Sequence, residues 1–290
     1  MVGRIVAGVD GSESAAAALE WAADDAARRG RALRIVHVRE PWAQRFPFHR
    51  VEGFDDALNE YCEGVLAKAA EQARERAPGL PVTTELLTGT VVELLRQEAD
   101  GAEALVLGSR GMGGFTGMVL GSVGLGVAGH ARGPVVVMRG DAPRTPHGEV
   151  VVGVDGSAQS EAALRYAFEQ AASRRSRVHA LYAWTMAAYS PLAIGYADAM
   201  RDVLEAEVRA VKQWLAPWRE KYPDVPLAES DVCGHPVPAL VEASRSADLV
   251  VVGSRGLGGF GSALLGSVSH GVLHHAHCPV AVVRPRDQEA

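Results

Sequence analysis

The sequence has few cysteines, and this argues against one common class of protein. Among its 290 residues it contains three, Cys62, Cys233 and Cys278, which lie far apart in the chain. A sparse, odd-numbered set is unlike the cysteine framework of small secreted domains, and it favours reduced thiols. We therefore expect a cytoplasmic protein.

Long apolar runs are also absent. No uninterrupted apolar stretch reaches the roughly 18 residues that a membrane-spanning helix needs. The N-terminal sequence MVGRIVAGVDGS has only a short apolar segment before Asp10, which is too short for the core of a signal peptide. We expect no membrane span and no membrane partner.

Positive charge is in short supply. The formal net charge is −6, the isoelectric point is about 5.9, and only Lys68, Lys212 and Lys221 are lysine. Non-specific nucleic-acid binding requires a basic face that neutralises phosphates, so we expect no nucleic-acid partner. Hydrophobic residues make up 48% of the chain, which is enough for one or two sizeable cores.

What the chain does have is an internal repeat. The pentapeptide GVDGS occurs at 8–12 and again at 153–157, an offset of 145 residues. Two glycine-dense segments, GSRGMGGFTGMVLGS at 108–122 and GSRGLGGFGSALLGS at 253–267, are separated by the same offset. A period of this length is too long for a solenoid unit and indicates a duplicated domain.

The seam between the copies is the segment GDAPRTPHGE, at 140–149. Its two prolines, two glycines and mixed charges are typical of a short linker. The sequence therefore predicts two domains, at 1–140 and 148–290.

Short apolar runs alternate with helical patterns in each half. The pattern predicts an α/β fold with two tandem open α/β sandwiches, each a five-stranded, mostly parallel sheet with helices on both faces. The predicted strands are 5–9, 32–38, 82–87, 104–108 and 134–139, then 150–154, 178–184, 227–232, 249–253 and 280–284. In the first half the predicted helices are 13–29, after a Ser12 cap and before a closing Gly30, then 55–76, 91–99 and 122–130.

The glycine segments lie where a ligand binds in such a sheet. Gly108 and Gly253 end the fourth predicted strand of each half, and ligands of open α/β sheets bind beyond the carboxyl ends of strands. Glycines let backbone N–H groups face an anion, and Gly121-Ser122 then opens a helix whose N-terminus carries positive partial charge. Each segment thus predicts a phosphate cradle, the second completed by Gly266-Ser267.

Three alternatives compete with this prediction. A Walker A loop requires a lysine beside its Ser or Thr, and no lysine lies in either segment, which excludes a P-loop ATPase or kinase. Gly256, Gly258 and Gly261 fit a dinucleotide fingerprint, but the first copy has Thr116 at the third place, and the run follows the fourth strand rather than the first. The third alternative is a glycine loop that binds no ligand.

The complete spacing of the glycine segments resembles a known motif. Each copy reads G-2x-G-9x-G-S, from Gly108 and from Gly253, and each half carries an aspartate in GVDGS. With these residues, essentially the whole chain resembles the universal stress protein family, specifically two tandem domains of its ATP-binding branch. The resemblance implies an adenine-nucleotide site in each half.

The resemblance also assigns roles. Asp10 and Asp155 would approach the base and ribose, and the backbone of Val38 and Ala183 would meet the adenine edge. The ribose and phosphates would be held by Gly108, Gly111, Gly121, Ser122 and Val123 in the first site, and by Gly253, Gly256, Gly266, Ser267 and Val268 in the second. The sequence contains no dedicated metal cage, so Mg²⁺ would arrive with the nucleotide as its cofactor. Arg110 and Arg255 would face either phosphate or solvent.

The helix that closes each half has two further features. His270, His274, His275 and His277 precede Cys278, a cluster that we interpret as structural rather than metal-binding because the first half keeps only His130. The first helix contains Gly124, Gly126 and Gly129, and each glycine costs a helix about 1 kcal/mol relative to alanine. We therefore expect tighter nucleotide binding in the second domain.

The functional prediction is a binding or signalling module of the stress response with at most weak ATP hydrolysis. Phosphoryl transfer needs positioned cations and a group that orients the nucleophile, and no such constellation repeats beside the motif. The alternatives are a hydrolase or pyrophosphatase-like enzyme and a nucleotide-free scaffold. The family resemblance also implies edge pairing of the apolar fifth strands, PVVVMR and PVAVVR, within the chain, with a homodimer as a further option.

Overall fold

The computed structural model describes residues 3–41, 53–112, 120–139, 146–184, 197–256 and 265–285. The chain divides into two compact units. One unit comprises Met1–Ala142 together with Pro279–Ala290, and the other comprises Pro143–Cys278. The predicted domains follow the sequence repeat, whereas the compact units assign the last strand of the second repeat to the first unit.

The first unit contains a parallel sheet with one antiparallel strand at its side. Its strands are β1 (Arg4–Gly8), β2 (Ala32–Arg39), β3 (Val82–Thr88), β4 (Ala104–Leu107), β5 (Val135–Val137) and, from the end of the chain, β10 (Val280–Val283). Its helices are α1 (Glu13–Arg29), α2 (Phe54–Arg76), α3 (Val91–Asp100) and α4 (Ser122–His130). The order is β3-β2-β1-β4-β5, all parallel, and β10 runs antiparallel to β5.

The second unit repeats the arrangement. Its strands are β6 (Glu149–Val154), β7 (Arg177–Trp184), β8 (Leu227–Cys233) and β9 (Leu249–Gly253), in the order β8-β7-β6-β9 and all parallel. Its helices are α5 (Ala158–Arg174), α6 (Ala197–Lys221), α7 (Pro236–Ala243) and α8 (Ser267–His275). In both units the first strand lies between the second and the fourth.

Local sequence explains how the first helix of each unit begins and ends. The Ser12 hydroxyl accepts a hydrogen bond from the Ala15 N–H at 3.2 Å. Ser157 does the same for Ser160 at 3.1 Å, so each serine of GVDGS caps a helix. Gly30 ends α1 in the left-handed conformation, with φ of 61°, and Arg175 ends α5 with φ of 55°.

The inner strands are covered on both faces. The consecutive residues Ile5, Val6 and Ala7 are all fully buried, as are Val150, Val151 and Val152. Side chains of consecutive strand residues point to opposite faces, so helices must pack on both sides of each sheet. The predicted α/β class and parallel sheets are confirmed, and the element bounds are unchanged or shift by one or two residues at the ends.

Two further findings bear on the cysteines and on membranes. Cys62 and Cys278 are buried, Cys233 is exposed, and all three are free thiols. Among the helices that the structure describes, none has the length and apolar character needed to cross a membrane.

Candidate functional site

A cavity of about 510 Å³ opens in the second unit at the carboxyl ends of β6, β7 and β9. Because β7 pairs with one edge of β6 and β9 with the other, the chain leaves β6 at the point where the strand order reverses. Ligands of open α/β sheets bind at this point. The volume falls within the roughly 300–1,000 Å³ of small-molecule pockets.

All seven residues that the sequence nominates in the second half line this one cavity. They are Asp155, Ala183, Gly253, Gly256, Gly266, Ser267 and Val268. Arg255, which sequence reasoning left between phosphate and solvent, also lines it. The described structure therefore brings the second set together around a single space.

The cavity has lining residues that the sequence reading missed. Leu181, Val154 and Val252 come from the ends of strands, and their positions beside Ala183, Asp155 and Gly253 could have indicated them. Pro236 and Leu240, from α7, carry no motif and reach the cavity only through packing. The remaining additions are Gly153, Ser160, Leu265, Ser269 and His270.

The aspartate of each GVDGS segment is held by the turn that follows it. Oδ1 of Asp155 accepts hydrogen bonds from the Ser157 N–H at 3.0 Å and the Ser157 hydroxyl at 2.6 Å. Oδ1 of Asp10 accepts from the Ser12 N–H at 3.0 Å. These bonds fix each carboxylate just beyond its strand.

The first two glycines of each motif are required by close approach to the start of the first helix and to the aspartate that precedes it. A Cβ atom at Gly256 would overlap Oδ2 of Asp155, and one at Gly111 would lie 2.6 Å from Oδ2 of Asp10. A Cβ atom at Gly253 would lie 2.9 Å from the Gln159 carbonyl carbon, and one at Gly108 would lie 2.7 Å from the Ser14 carbonyl carbon. Larger residues would push the loop away from the aspartate.

The third glycine of the motif has a different role. Gly121 and Gly266 are N-caps with φ of −76° and −67°, a conformation that any residue adopts. Their N–H groups donate to the carbonyls of Ser109 at 2.7 Å and Ser254 at 2.8 Å. These bonds join the glycine loop to the start of α4 or α8, whose first N–H groups have no partner within the helix.

The glycine loop and the helix start of each half together form one cradle. The first cradle comprises residues 108–111 and 121–123, and the second cradle comprises residues 253–256 and 266–268.

In the first unit, the Met112 N–H donates to Oδ2 of Asp10 at 2.9 Å, which fastens the loop to the aspartate directly. Val38 lies near the end of β2, opposite Leu87 of β3, while Ser122 and Val123 begin α4. All seven nominated residues of the first half thus lie at the carboxyl end of their strands or at the start of α4.

The cradles differ in the helix behind them. The Ser269 hydroxyl donates to the Gly253 carbonyl at 2.5 Å and so ties α8 to the loop. The corresponding residue of the first half is Gly124, which has no side chain to make this bond. His270 lines the second cavity, and its counterpart is Leu125.

The strand beside the aspartate also differs. Tyr182 donates to Glu207 at 2.9 Å; burial, this bond and the charges of Glu207 and Asp155 raise the pKa of Tyr182 to about 12. Its counterpart His37 is buried, with Nδ1 2.7 Å from the Val9 carbonyl.

In the first unit, burial lowers the pKa of Arg139, and the guanidinium of Arg110 lowers it further. Arg110 therefore adds positive potential around the first cradle.

The histidine cluster of α8 brings two imidazole rings close together. The rings of His270 and His274 lie 4.5 Å apart, and no three potential metal ligands come together among the described residues. Burial raises the pKa of the Cys278 thiol to about 12, so the thiol stays protonated at neutral pH and is a poor metal ligand.

Known proteins resemble this chain in both halves. A model described as the universal stress protein family matches residues 1–139 and 147–284. Universal stress protein Rv2005c of Mycobacterium tuberculosis is 38% identical over 287 residues, covering 97% of this chain and 96% of its own. Universal stress protein Rv1996 of the same organism is 36% identical over 303 residues, covering 98% and 96%.

A solved structure shares the fold along the whole chain. It is the crystal structure of a universal stress protein from Archaeoglobus fulgidus, with a TM-score of 0.68 and 22% sequence identity. The similarity covers 97% of this chain and 98% of that chain. The tandem arrangement of two α/β units is therefore shared with that protein.

Proposed function

The chain belongs to the universal stress protein family, and we propose that it is an adenine-nucleotide-binding member with one ATP site in each half. The observation that carries the proposal is the cavity of about 510 Å³, which is lined by Asp155, the glycine loop and the N-terminus of α8. Its nominated residues recur at the 145-residue offset in the first half, which supports a second site there.

The proposed orientation of the nucleotide follows from the polarity of the cavity wall. Leu181, Leu240 and Pro236 form an apolar part that suits a purine. The base edge would meet the backbone of Ala183, and Val38 would have this role in the first half. Adenine would thereby be buried against apolar surface with one edge hydrogen-bonded.

The ribose would lie between the base and the cradle. Oδ1 of Asp155 is held by Ser157, and Oδ2 lies on the side of Gly256. A carboxylate held in this way is a strong acceptor for ribose hydroxyls. Asp10 would accept from the ribose in the first site.

The phosphates would occupy the cradles. Backbone N–H groups of the glycine loop and of the first turn of α8 or α4 would donate to them, assisted by the hydroxyl of Ser267 or Ser122. Mg²⁺ would be carried by the phosphates, since three potential metal ligands do not come together anywhere in the described ranges. Mg²⁺ supplies charge neutralisation for the phosphates when bound.

We propose binding and signalling rather than rapid catalysis. Asp155 is the carboxylate among the described residues that line the cavity, and its Oδ1 is engaged by Ser157. Phosphoryl transfer needs a further group that orients the attacking water. ATP hydrolysis would therefore be slow, and a cytoplasmic location remains part of the proposal.

Calorimetric titration of the full-length, nucleotide-free protein with Mg²⁺–ATP tests the proposal. We expect two bound nucleotides per chain, with native mass spectrometry confirming the stoichiometry and reporting any dimer. An absence of binding at millimolar ATP would identify a nucleotide-free scaffold instead. Phosphate release near a typical enzyme rate of about 10 per second would make the protein a hydrolase.

A further inference from the structure

The phosphate end of the second cavity carries two basic side chains. Arg255 lies between Gly253 and Gly256, and His270 lies on the first turn of α8, three residues after Ser267. Both residues line the cavity. Among the described residues that line it, the carboxylate is that of Asp155. The positive end of the α8 dipole points to the same place.

The surroundings of the Arg255 side chain suit the binding of an anion. It is partly buried, and its Nε is enclosed without a hydrogen-bond partner in the described parts of the chain. No described carboxylate forms an ion pair with it. A buried donor left without a partner is costly, and guanidinium pairs well with phosphate oxygens. Its counterpart Arg110 is exposed, so the two motifs share the arginine in sequence but not its burial.

His270 distinguishes the two halves. Its counterpart in the first half is Leu125, on the first turn of α4. His270 is exposed to the cavity side of α8, and its ring packs on that of His274 with centroids 4.5 Å apart. An imidazole can donate to a phosphate oxygen and can carry charge near neutral pH, and leucine can do neither.

Resting on the proposed function, we propose that His270 contacts the nucleotide phosphates and makes the second site selective for nucleoside polyphosphates over nucleosides, increasingly so as the pH falls. The first site, with Leu125, lacks this added selectivity. The surrounding elements carry these titratable and charged groups among the described residues: Asp155 after β6, Arg255 after β9, His235 and Glu242 at the two ends of α7, and His274 and His275 on α8 itself.

The direction of the pH effect follows from the charge of the imidazole. Protonated imidazole attracts phosphate more strongly than neutral imidazole does, so this contact strengthens in the direction of falling pH. The terminal phosphate of a nucleotide also takes up a proton near about pH 6, which weakens binding at low pH in both sites. Replacing His270 separates the two effects because only the contribution of the imidazole is removed.

The test uses the full-length chain carrying Gly111→Val, which leaves the second site for observation. In this background, His270→Leu copies the first half, and His270→Gln keeps a hydrogen-bonding side chain without the charge. Calorimetry with Mg²⁺–ATP and with adenosine at about pH 6 and pH 8 gives the affinities. The reciprocal variant, Leu125→His, is made in a Gly256→Val background.

We expect His270→Leu to weaken ATP binding about threefold to tenfold at pH 6 and by less at pH 8, the range of the net contribution of one partly exposed hydrogen bond. Adenosine affinity should stay unchanged, His270→Gln should match the parent at pH 8 only, and Leu125→His should strengthen ATP binding at pH 6. Unchanged ATP affinity, or an equal loss for ATP and adenosine, overturns the inference while leaving the proposed function intact. A parent chain that binds no ATP overturns both.

Discussion

The two cradles have the same backbone contacts and different side chains behind them. In each cradle, two glycines lie too close to the first-strand aspartate and to the start of the following helix for a larger residue to fit. The N–H of the third glycine donates a hydrogen bond to a carbonyl of the loop. The helix that follows has Gly124 and Leu125 in the first half but Ser269 and His270 in the second. Duplication has therefore retained the contacts that shape the space, while the side chains at the start of the following helix have diverged.

The opposite end of the sheets shows how far divergence extends elsewhere. In the first unit, Arg34 pairs with Glu98 through bonds of 2.9 and 3.0 Å. In the second unit, the equivalent of Arg34 is His179, whose ring lies 2.9 Å from both the buried Glu149 and Ser230. The polar network has been replaced completely there, in contrast to the cradle glycines.

The largest expected effect comes from filling the close contact in one cradle. Gly256→Val should remove the second site and Gly111→Val the first, each reducing ATP affinity at its own site by about 100-fold, because the loop must shift away from the aspartate. Calorimetric stoichiometry should fall from two to one in each case.

The matched control for these variants is Gly64→Val, since Gly64 lies in α2 with open space around its Cβ position. Two bound nucleotides should remain in that variant. Loss of both sites after a single cradle substitution would show that the cradles are not independent. Gly121→Ala and Gly266→Ala are milder, and greater loss from the first would contradict tighter binding in the second unit.

A smaller effect is expected from exchanging the residue that ties the helix to the loop. Ser269→Gly should weaken the second site about threefold to tenfold, because it removes one hydrogen bond to Gly253 and loosens α8. Gly124→Ser should strengthen the first site, since a Cβ atom there would make ordinary contacts of 3.8 Å with Val137.

Ser269→Ala separates the two causes, because it keeps a good helix former and removes only the hydroxyl. Calorimetry of each variant, with the other site blocked, measures the change. If Ser269→Ala binds as tightly as the parent, helix stability rather than the bond accounts for any difference between the cradles.

The smallest expected effect is a difference in thiol protection between the two units when both cradles are unmodified. Cys62 belongs to the first unit and Cys278 to the second, and burial raises the pKa of both thiols. Each should react with a thiol reagent only when its unit opens, and a nucleotide slows opening in proportion to its affinity. With the exposed Cys233 replaced by serine, subsaturating ATP should protect Cys278 about threefold more than Cys62.

Peptide mass spectrometry after timed labelling measures the two rates separately. Adenosine should give a smaller difference in protection between the two thiols, since it has no phosphate that could bind in the cradles. Equal protection of the two thiols by ATP would establish that the sites have equal affinity, despite Ser269 and His270.

Local sequence determined much of this protein. The serine caps and the end of α1 at Gly30 were predictable because they depend on residues a few positions apart. The alternation of short apolar strands with helices predicted the parallel sheets, and the repeat predicted a corresponding site in each half. The seven residues around the second cavity were predicted through the family resemblance, on a motif in one continuous stretch together with the ends of two strands.

The tertiary structure alone decided the rest, because it depends on contacts between distant segments. Packing of α7 brings Pro236 and Leu240 into the cavity wall, and β10 joins β5 across more than 140 residues of chain. The reason why Gly256 must be glycine is a contact with Asp155, about 100 residues earlier, which no local pattern reveals. Sequence period fixed where the cradles lie, and the packing of α8 against its loop determined that His270 faces the second one.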